Sequence, residues 1–300
     1  MGKVLLVACT SVGRALLDAI YSNESLSEVE LCGLVNLKPK AAINKANYDE
    51  FADLVEKYGI NTYYCDNINE QSCIEFMKQC EPDIIIQSGW SQKFSEEVLS
   101  IPKYACIGEH PAPLPKGRGA ACVNWAIITG EQEWGDTFFK MEMQYDTGAI
   151  YGQNFFRIEE YDDVKTVYDK VASCAVKTLC DNLKLWVNGI FNSIPQDDSL
   201  ATHYPRRKPE NGLFDFKQDA KNIYNQIRGQ AKPYPGAFFM YKSKKVYVWK
   251  ATLNCFENND GGYNIVCGNG QKIRLLRVQQ EGCTEEWAKD FFIRNESFND

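Results

Sequence analysis

Apolar positions in the first 110 residues fall in short runs separated by polar stretches with helical spacing. The runs KVLLVAC (3–9), LCGLVNL (31–37), NTYYCD (61–66), DIIIQSGW (83–90) and YACIGEH (104–110) predict strands. Between them LLDAIYS (16–22), YDEFADLVEKYG (48–59), EQSCIEFMKQC (70–80) and SEEVLS (95–100) predict helices. Strand and helix in this alternation imply an α/β fold with a doubly wound, mainly parallel sheet, whose ligands sit outside the carboxyl ends of the strands. A helix is expected over AACVNWAII (120–128), stopping near Gly130. DTFFKMEMQ (136–144) and AIYGQNFFRI (149–158) read as extended runs joined by a sharp reversal at Tyr145-Asp146-Thr147-Gly148. A long amphipathic helix within 163–190 closes on a glycine.

After that helix the pattern changes. Residues 194–213 carry three prolines and the composition of a linker, and a helical stretch, AKNIYNQIRGQ (220–230), follows. Short alternating runs from KPYPGAFFMY (232–241) to KIRLLRVQ (272–279) then suggest a smaller β-rich, barrel-like part. The expected division is a catalytic domain over 1–193, a linker over 194–213 and a β-rich domain over 214–300.

Composition narrows the class. The chain has 300 residues, 44% of them hydrophobic and 24% charged, and no apolar run of the length a membrane span needs. The N-terminal MGKVLLVACT runs straight into Ser11, Gly13 and Arg14, which reads as a first strand rather than a signal peptide, so a cytoplasmic location is expected. Twelve scattered cysteines contain no C-x-x-C pair, and buried thiols in a reducing compartment are their simplest reading. No metal site is expected. A net charge of −7 disfavours a general nucleic-acid binder, although 206–250 hold eleven Lys and Arg against three acids.

The chain has only two histidines. His110 stands at a strand end, ahead of Pro111, Pro113 and Pro115, in a setting stiff enough to position an imidazole for proton transfer. His203, in the polar linker, reads as a surface residue. Asp146, in the turn between two strands, is the best partner for His110, whereas Glu109 should point away from its neighbour. Lys116-Gly117-Arg118-Gly119, just before a helix, has the make-up of an anion site. Gly13 is a lone glycine in the first strand-helix turn, which argues against the three-glycine dinucleotide fingerprint.

The order of these residues resembles the 10-formyltetrahydrofolate-dependent formyltransferases, whose pattern is Asn-x-His-x-x-x-Leu-Pro, an Arg-Gly pair, then Asp-x-Gly. Here His110, Leu114-Pro115, Arg118-Gly119, Trp125-Ala126-Ile127, Gly130-Glu131 and Asp146-x-Gly148 follow it, and YPRRKPENGLFDF with IRGQAKPYPGAFFMY extends the likeness to about residue 250. The resemblance implies a Rossmann-like formyltransferase domain and transfer of a formyl group from 10-formyltetrahydrofolate to an amine, with His110 and Asp146 catalytic. It also implies a folate beside Gln87, Ser88, Gly89, Trp90, Ser91, Gln92, Tyr145 and Asp146. Pro113, Lys116, Arg118, Gly119, Arg206 and Arg207 are the residues expected at the acceptor.

One position departs from the pattern: Gly108 stands where the family has the asparagine whose amide meets the formyl oxygen, and Asn124 and Gln92 are the substitute donors suggested by residue type. A variant of the family with Gly-x-His-Pro and LPxGRG resembles this chain and accompanies amino-sugar pathways. The expected acceptor is therefore a nucleotide-linked amino sugar, with a homodimer as the expected assembly. Methionyl-tRNA is the alternative acceptor, and a non-catalytic folate or sugar-nucleotide binder the alternative of another class.

Overall fold

The computed structural model describes residues 1–43, 45–256 and 260–295. Its chain divides into two compact units, one of Met1–Gly119, Glu133–Arg157 and Tyr168–Tyr204, the other of Ala120–Gln132, Ile158–Val167 and Pro205–Asp300.

The first unit is built on a seven-stranded sheet. Its strands are β1 (Gly2–Ala8), β2 (Val29–Leu37), β3 (Thr62–Cys65), β4 (Ile84–Ser88) and β5 (Ala105–His110), with helices α1 (Ser11–Ser22), α2 (Ala52–Tyr58), α3 (Gln71–Gln79) and α4 (Glu96–Leu99) between them. A two-residue strand β6 (Arg118–Gly119) follows, and helix α5 (Cys122–Thr129) precedes the hairpin of β7 (Glu133–Lys140) and β8 (Ile150–Arg157). The sheet order is β3-β2-β1-β4-β5-β7-β8. Pairing is parallel through β5 and antiparallel at β5–β7 and β7–β8. Strand order reverses between β1 and β4, which places a ligand crevice at the carboxyl ends of those two strands.

Central parallel strands are covered on both faces, and this is why they read as unbroken apolar runs. Val4 to Ala8 and Ile84 to Ile86 are fully buried. Helix α6 (Val164–Trp186) carries Val171, Ala175, Leu179, Leu183 and Trp186 as a buried stripe at helical spacing. The Trp186 ring packs 5.3 Å from that of Phe138 on β7.

Three local results differ from the pattern-based expectations. Helix α2 begins at Ala52 because Phe51 takes a left-handed backbone, with φ 58, so the apolar periodicity starting at Tyr48 overstates its length. The stretch expected as a linker is divided: residues up to Tyr204 belong to the first unit, and β9 (His203–Tyr204) pairs in parallel with β6. Helix α5 packs within the second unit, where the Asn124 amide donates to Gly229 O at 2.8 Å.

The second unit contains α7 (Ala220–Arg228), β10 (Ala237–Tyr241), β11 (Lys244–Thr252), β12 (Tyr263–Val266), β13 (Lys272–Gln280), β14 (Glu286–Trp287) and α8 (Ala288–Arg294). Its strands pair antiparallel in the order β10-β11-β13-β12, with β14 on β13. The barrel-like closure expected from sequence is not among the described pairings, which run as an open path. Residues of α7 and α8, among them Ile223, Ile227, Phe291 and Phe292, join the core that a further wall of strands would otherwise cover. Among the described residues no helix is long and apolar enough to cross a membrane.

All twelve cysteines are thiols outside any disulfide, seven of them buried and Cys283 exposed. Burial pushes the Cys9 thiol up to about 11 and that of Cys106 up to about 12. Thiolate is the reactive form, so alkylation at about pH 8 is expected to modify Cys283 first and to reach Cys9 and Cys106 only after denaturation. Mass-mapped labelling checks this, and native-state labelling of Cys9 at the rate of Cys283 would contradict it.

Candidate active site

Strand β5 ends on His110, which is buried, and the loop Pro111–Gly117 folds back over the ring. The backbone of that loop is held by Thr137 on β7, whose Oγ1 donates to Ala112 O (2.7 Å) and accepts from Leu114 N (3.1 Å). His110 Nε2 lies 2.8 Å from Gly117 O. A carbonyl oxygen can only accept, so in the neutral ring Nε2 carries the hydrogen and Nδ1 the lone pair. Nδ1 faces Asp146 Oδ1 at 3.9 Å, longer than a hydrogen bond and close enough for the two groups to exchange a proton through a bound reactant.

Asp146 is fixed from three sides. Its backbone is left-handed, with φ 56, a conformation that a non-glycine residue keeps only where its surroundings impose it. Its Oδ2 accepts from Gly119 N at 2.8 Å, and its carbonyl accepts from Gln196 Nε2 at 3.0 Å. The same Gln196 nitrogen donates to Gly148 O (2.7 Å), so one side chain braces both ends of the Asp146 turn.

In the Lys116–Gly119 loop one backbone donor of the expected anion site is already taken. Its anion is the protein's own carboxylate, Asp146, bound at Gly119 N. The Arg118 side chain is only 5% exposed, and its guanidinium donates to Gln196 Oε1 (2.7 Å) and Asp198 Oδ1 (2.7 Å). These bonds tie the loop to the 196–198 segment. Gly117 and Gly119 have φ of 78 and 100, and a Cβ on Gly119 would collide with Tyr204 O across the β6–β9 pair.

The other expected residues are distributed as follows. Lys116 is exposed in the loop beside His110, and Pro113 is half-buried. Gln87 and Ser88 are buried at the end of β4, Gly89 has φ 64, Trp90 is buried and Ser91 is exposed. Trp90 Nε1 is a buried donor with no hydrogen-bond partner among the described residues. Tyr145 is exposed, with Lys93 Nζ 5.8 Å from its ring centre. Glu109 points to the opposite face of the sheet, where its Oε2 accepts from Ser88 Oγ at 2.6 Å.

Both substitute donors suggested by residue type hold backbone instead. Gln92 accepts from Ile68 N and donates to Asp66 O, at 2.9 Å each, pinning the loop after β3. Asn124 is tied to Gly229 O. In the second unit Arg206 is exposed, and Arg207 lies 4.5 Å over the Trp125 ring while donating to Asn211 O. His203 is exposed on β9. Among the described residues no group of three or more His, Cys, Asp and Glu could hold a metal ion.

Sequence reading missed Gln196, Asp198 and Thr202, whose Oγ1 accepts from Gly117 N at 2.8 Å. They lie in IPQDDSLATHY, a stretch with no apolar period, and only its density of short polar side chains hints at bracing.

The sequence profile of the formyl transferase family matches residues 3–183, and that of the formyl transferase C-terminal domain matches residues 206–296. A methionyl-tRNA formyltransferase of Caldanaerobacter subterraneus subsp. tengcongensis is 33% identical over 259 residues, 83% of this chain and 83% of that protein. HypX from Aquifex aeolicus superposes with TM-score 0.68 at 18% identity over 97% of this chain, which spans 48% of the HypX chain. An N-formyltransferase from Helicobacter canadensis, solved with folinic acid and dTDP-3-aminofucose, superposes with TM-score 0.67 at 19% identity over 93% of this chain and 100% of that one. The two solved structures share the fold. With the His110–Asp146 pair at the end of a doubly wound sheet and both profiles matched in order, the chain belongs to the formyl transferase family.

Proposed function

We propose that this protein moves a formyl group from 10-formyltetrahydrofolate to the free amine of a nucleotide-linked amino sugar, a 4-amino-4,6-dideoxy sugar on UDP or dTDP. The observation that carries the reading is the clamp on the catalytic pair: Gly117 O sets the His110 tautomer, and Gly119 N and Gln196 fix Asp146 opposite Nδ1. In the reaction the amine nitrogen bonds to the formyl carbon, the bond from that carbon to folate N10 breaks, the amine loses a proton and N10 gains one. Asp146 lies opposite His110 Nδ1, where it can orient the ring and help receive the amine's proton; His110, once that proton is taken up on Nδ1, delivers it to the leaving nitrogen.

The folate is assigned to the crevice between the ends of β1 and β4, where Gly89 and Trp90 follow the reversal point and the unpartnered Trp90 Nε1 is a donor for a polar heterocycle. Lys116, exposed beside His110, is the cation offered to the acceptor's pyrophosphate. The acidic balance of the chain, −7, suits a small sugar nucleotide better than a polyanion. The 33% identity to a methionyl-tRNA formyltransferase keeps charged initiator tRNA as the second reading.

Incubation with 10-formyltetrahydrofolate and a panel of UDP-, dTDP- and GDP-linked amino sugars is expected to add one formyl mass to at least one sugar. His110→Ala and Asp146→Asn are each expected to lower kcat by about 10²–10⁴-fold. Product on charged initiator tRNA and on no sugar would replace the acceptor. Gln196→Leu breaks the brace on Asp146 and strips a partner from Arg118; a loss of about 1–3 kcal/mol in chemical denaturation is expected, together with a fall in kcat. Unchanged stability and rate would show that the brace is dispensable.

A further inference from the structure

The family pattern places an amide donor at position 108, and this chain has none there. The structure explains why it cannot. A Cβ on Gly108 would lie 2.7 Å from Cε1 and Cζ of Phe139 and 3.2 Å from Met141 Cγ. Phe139 is the cross-strand neighbour of Gly108 on β7, buried and packed with Leu114 and Ile150. Its ring occupies the volume in which a side chain at 108 would stand.

The neighbouring strand on the other side offers a replacement. In the parallel β4–β5 pair Gln87 is partnered with Gly108 and Ser88 with Glu109. Partnered residues share a face of the sheet, and the 2.6 Å Ser88–Glu109 hydrogen bond marks the opposite one. Gln87, Gly108 and His110 therefore look out on the same side, at the carboxyl ends of their strands.

Gln87 is also out of place as a core residue. It follows Ile84, Ile85 and Ile86 in a central strand of a parallel sheet and is itself only 8% exposed. A buried amide at such a position costs stability unless it is hydrogen-bonded. Its Nε2 donates to Trp90 O at 3.4 Å, a length at which the bond is weak, and the same nitrogen carries a second hydrogen.

We propose that the Gln87 carboxamide, reaching across from β4, is the catalytic hydrogen-bond donor to the formyl oxygen, in place of a side chain at position 108. This rests on the formyl-transfer reading above. As the amine nitrogen bonds to the formyl carbon, the carbonyl electron pair moves to the oxygen and the Gln87 N–H meets the developing charge. When the carbon–N10 bond breaks the carbonyl re-forms, and Gln87 neither gains nor loses a proton.

The test uses the full-length enzyme and the amine substrate on which the wild type is active. Gln87→Leu, a change suited to an isoleucine-rich strand, is expected to lower kcat by about 10²–10³-fold. KM for the amine substrate should stay unchanged, and any rise in the Kd for 5-formyltetrahydrofolate should be small beside the loss in kcat, with the denaturation midpoint not lowered. Gln87→Glu, which removes the donor and adds negative charge, should lose at least as much. In the Gln87→Leu background, Gly108→Asn together with Phe139→Ala clears the ring and returns an amide to position 108, and should recover about tenfold or more of the lost rate. An unchanged kcat in Gln87→Leu, or a loss confined to KM and Kd, overturns the proposal while leaving the formyl-transfer reading in place. A wild-type protein that formylates no amine removes both.

Discussion

The site depends on two backbone groups of one loop. Gly117 O takes the Nε2 hydrogen of His110, and two residues later Gly119 N binds the carboxylate of Asp146. A single peptide segment thereby sets the tautomer of one residue of the proposed catalytic pair and the position of the other. That segment can run there only because Gly117 and Gly119 adopt left-handed backbones and Gly119 passes against Tyr204 O. The remaining architecture keeps this segment still: β9 pairs with β6, Thr202 bonds the Gly117 amide, and Arg118 anchors Gln196, which braces the Asp146 turn.

The sheet supplies the complementary constraint. Its strand ends bring Gln87, Gly108 and His110 to one face, and the antiparallel hairpin β7–β8 delivers Asp146 on the connection between its strands. Phe139, held on β7 by Leu114 and Ile150, fills the space over Gly108. The same hairpin that carries Asp146 thus decides which neighbouring position can host an amide. A change at Gly108 cannot be read apart from Phe139, since contacting residues couple in their effects.

Much of this was legible in the sequence. Unbroken runs such as KVLLVAC and DIIIQS announced buried parallel strands because both faces of the central sheet are covered. The stiff sequence around His110 and the turn at Asp146 pointed to two residues that stand 3.9 Å apart. What escaped notice has physical causes. The KGRG loop carries the signature of an anion site, and sequence does not say that the anion is an internal carboxylate 27 residues later. Arg118 reads as a free cation because its partners, Gln196 and Asp198, lie about 80 positions away in a stretch with linker composition. The substitute amides suggested by residue type, Gln92 and Asn124, stand close to the motif in sequence but bond backbone elsewhere, whereas Gln87 is brought beside Gly108 by strand register alone.

Gly117 O holds His110 with its proton on Nε2 and turns Nδ1 toward Asp146. Because the chain has only two histidines, 15N-histidine labelling gives a spectrum in which His110 and the exposed His203 are separable. In the neutral form His110 is expected to show a protonated Nε2 and an unprotonated Nδ1, and His203→Gln fixes the assignment. A neutral His110 with its proton on Nδ1 would contradict the account, since Gly117 O could then no longer be accepting from the ring.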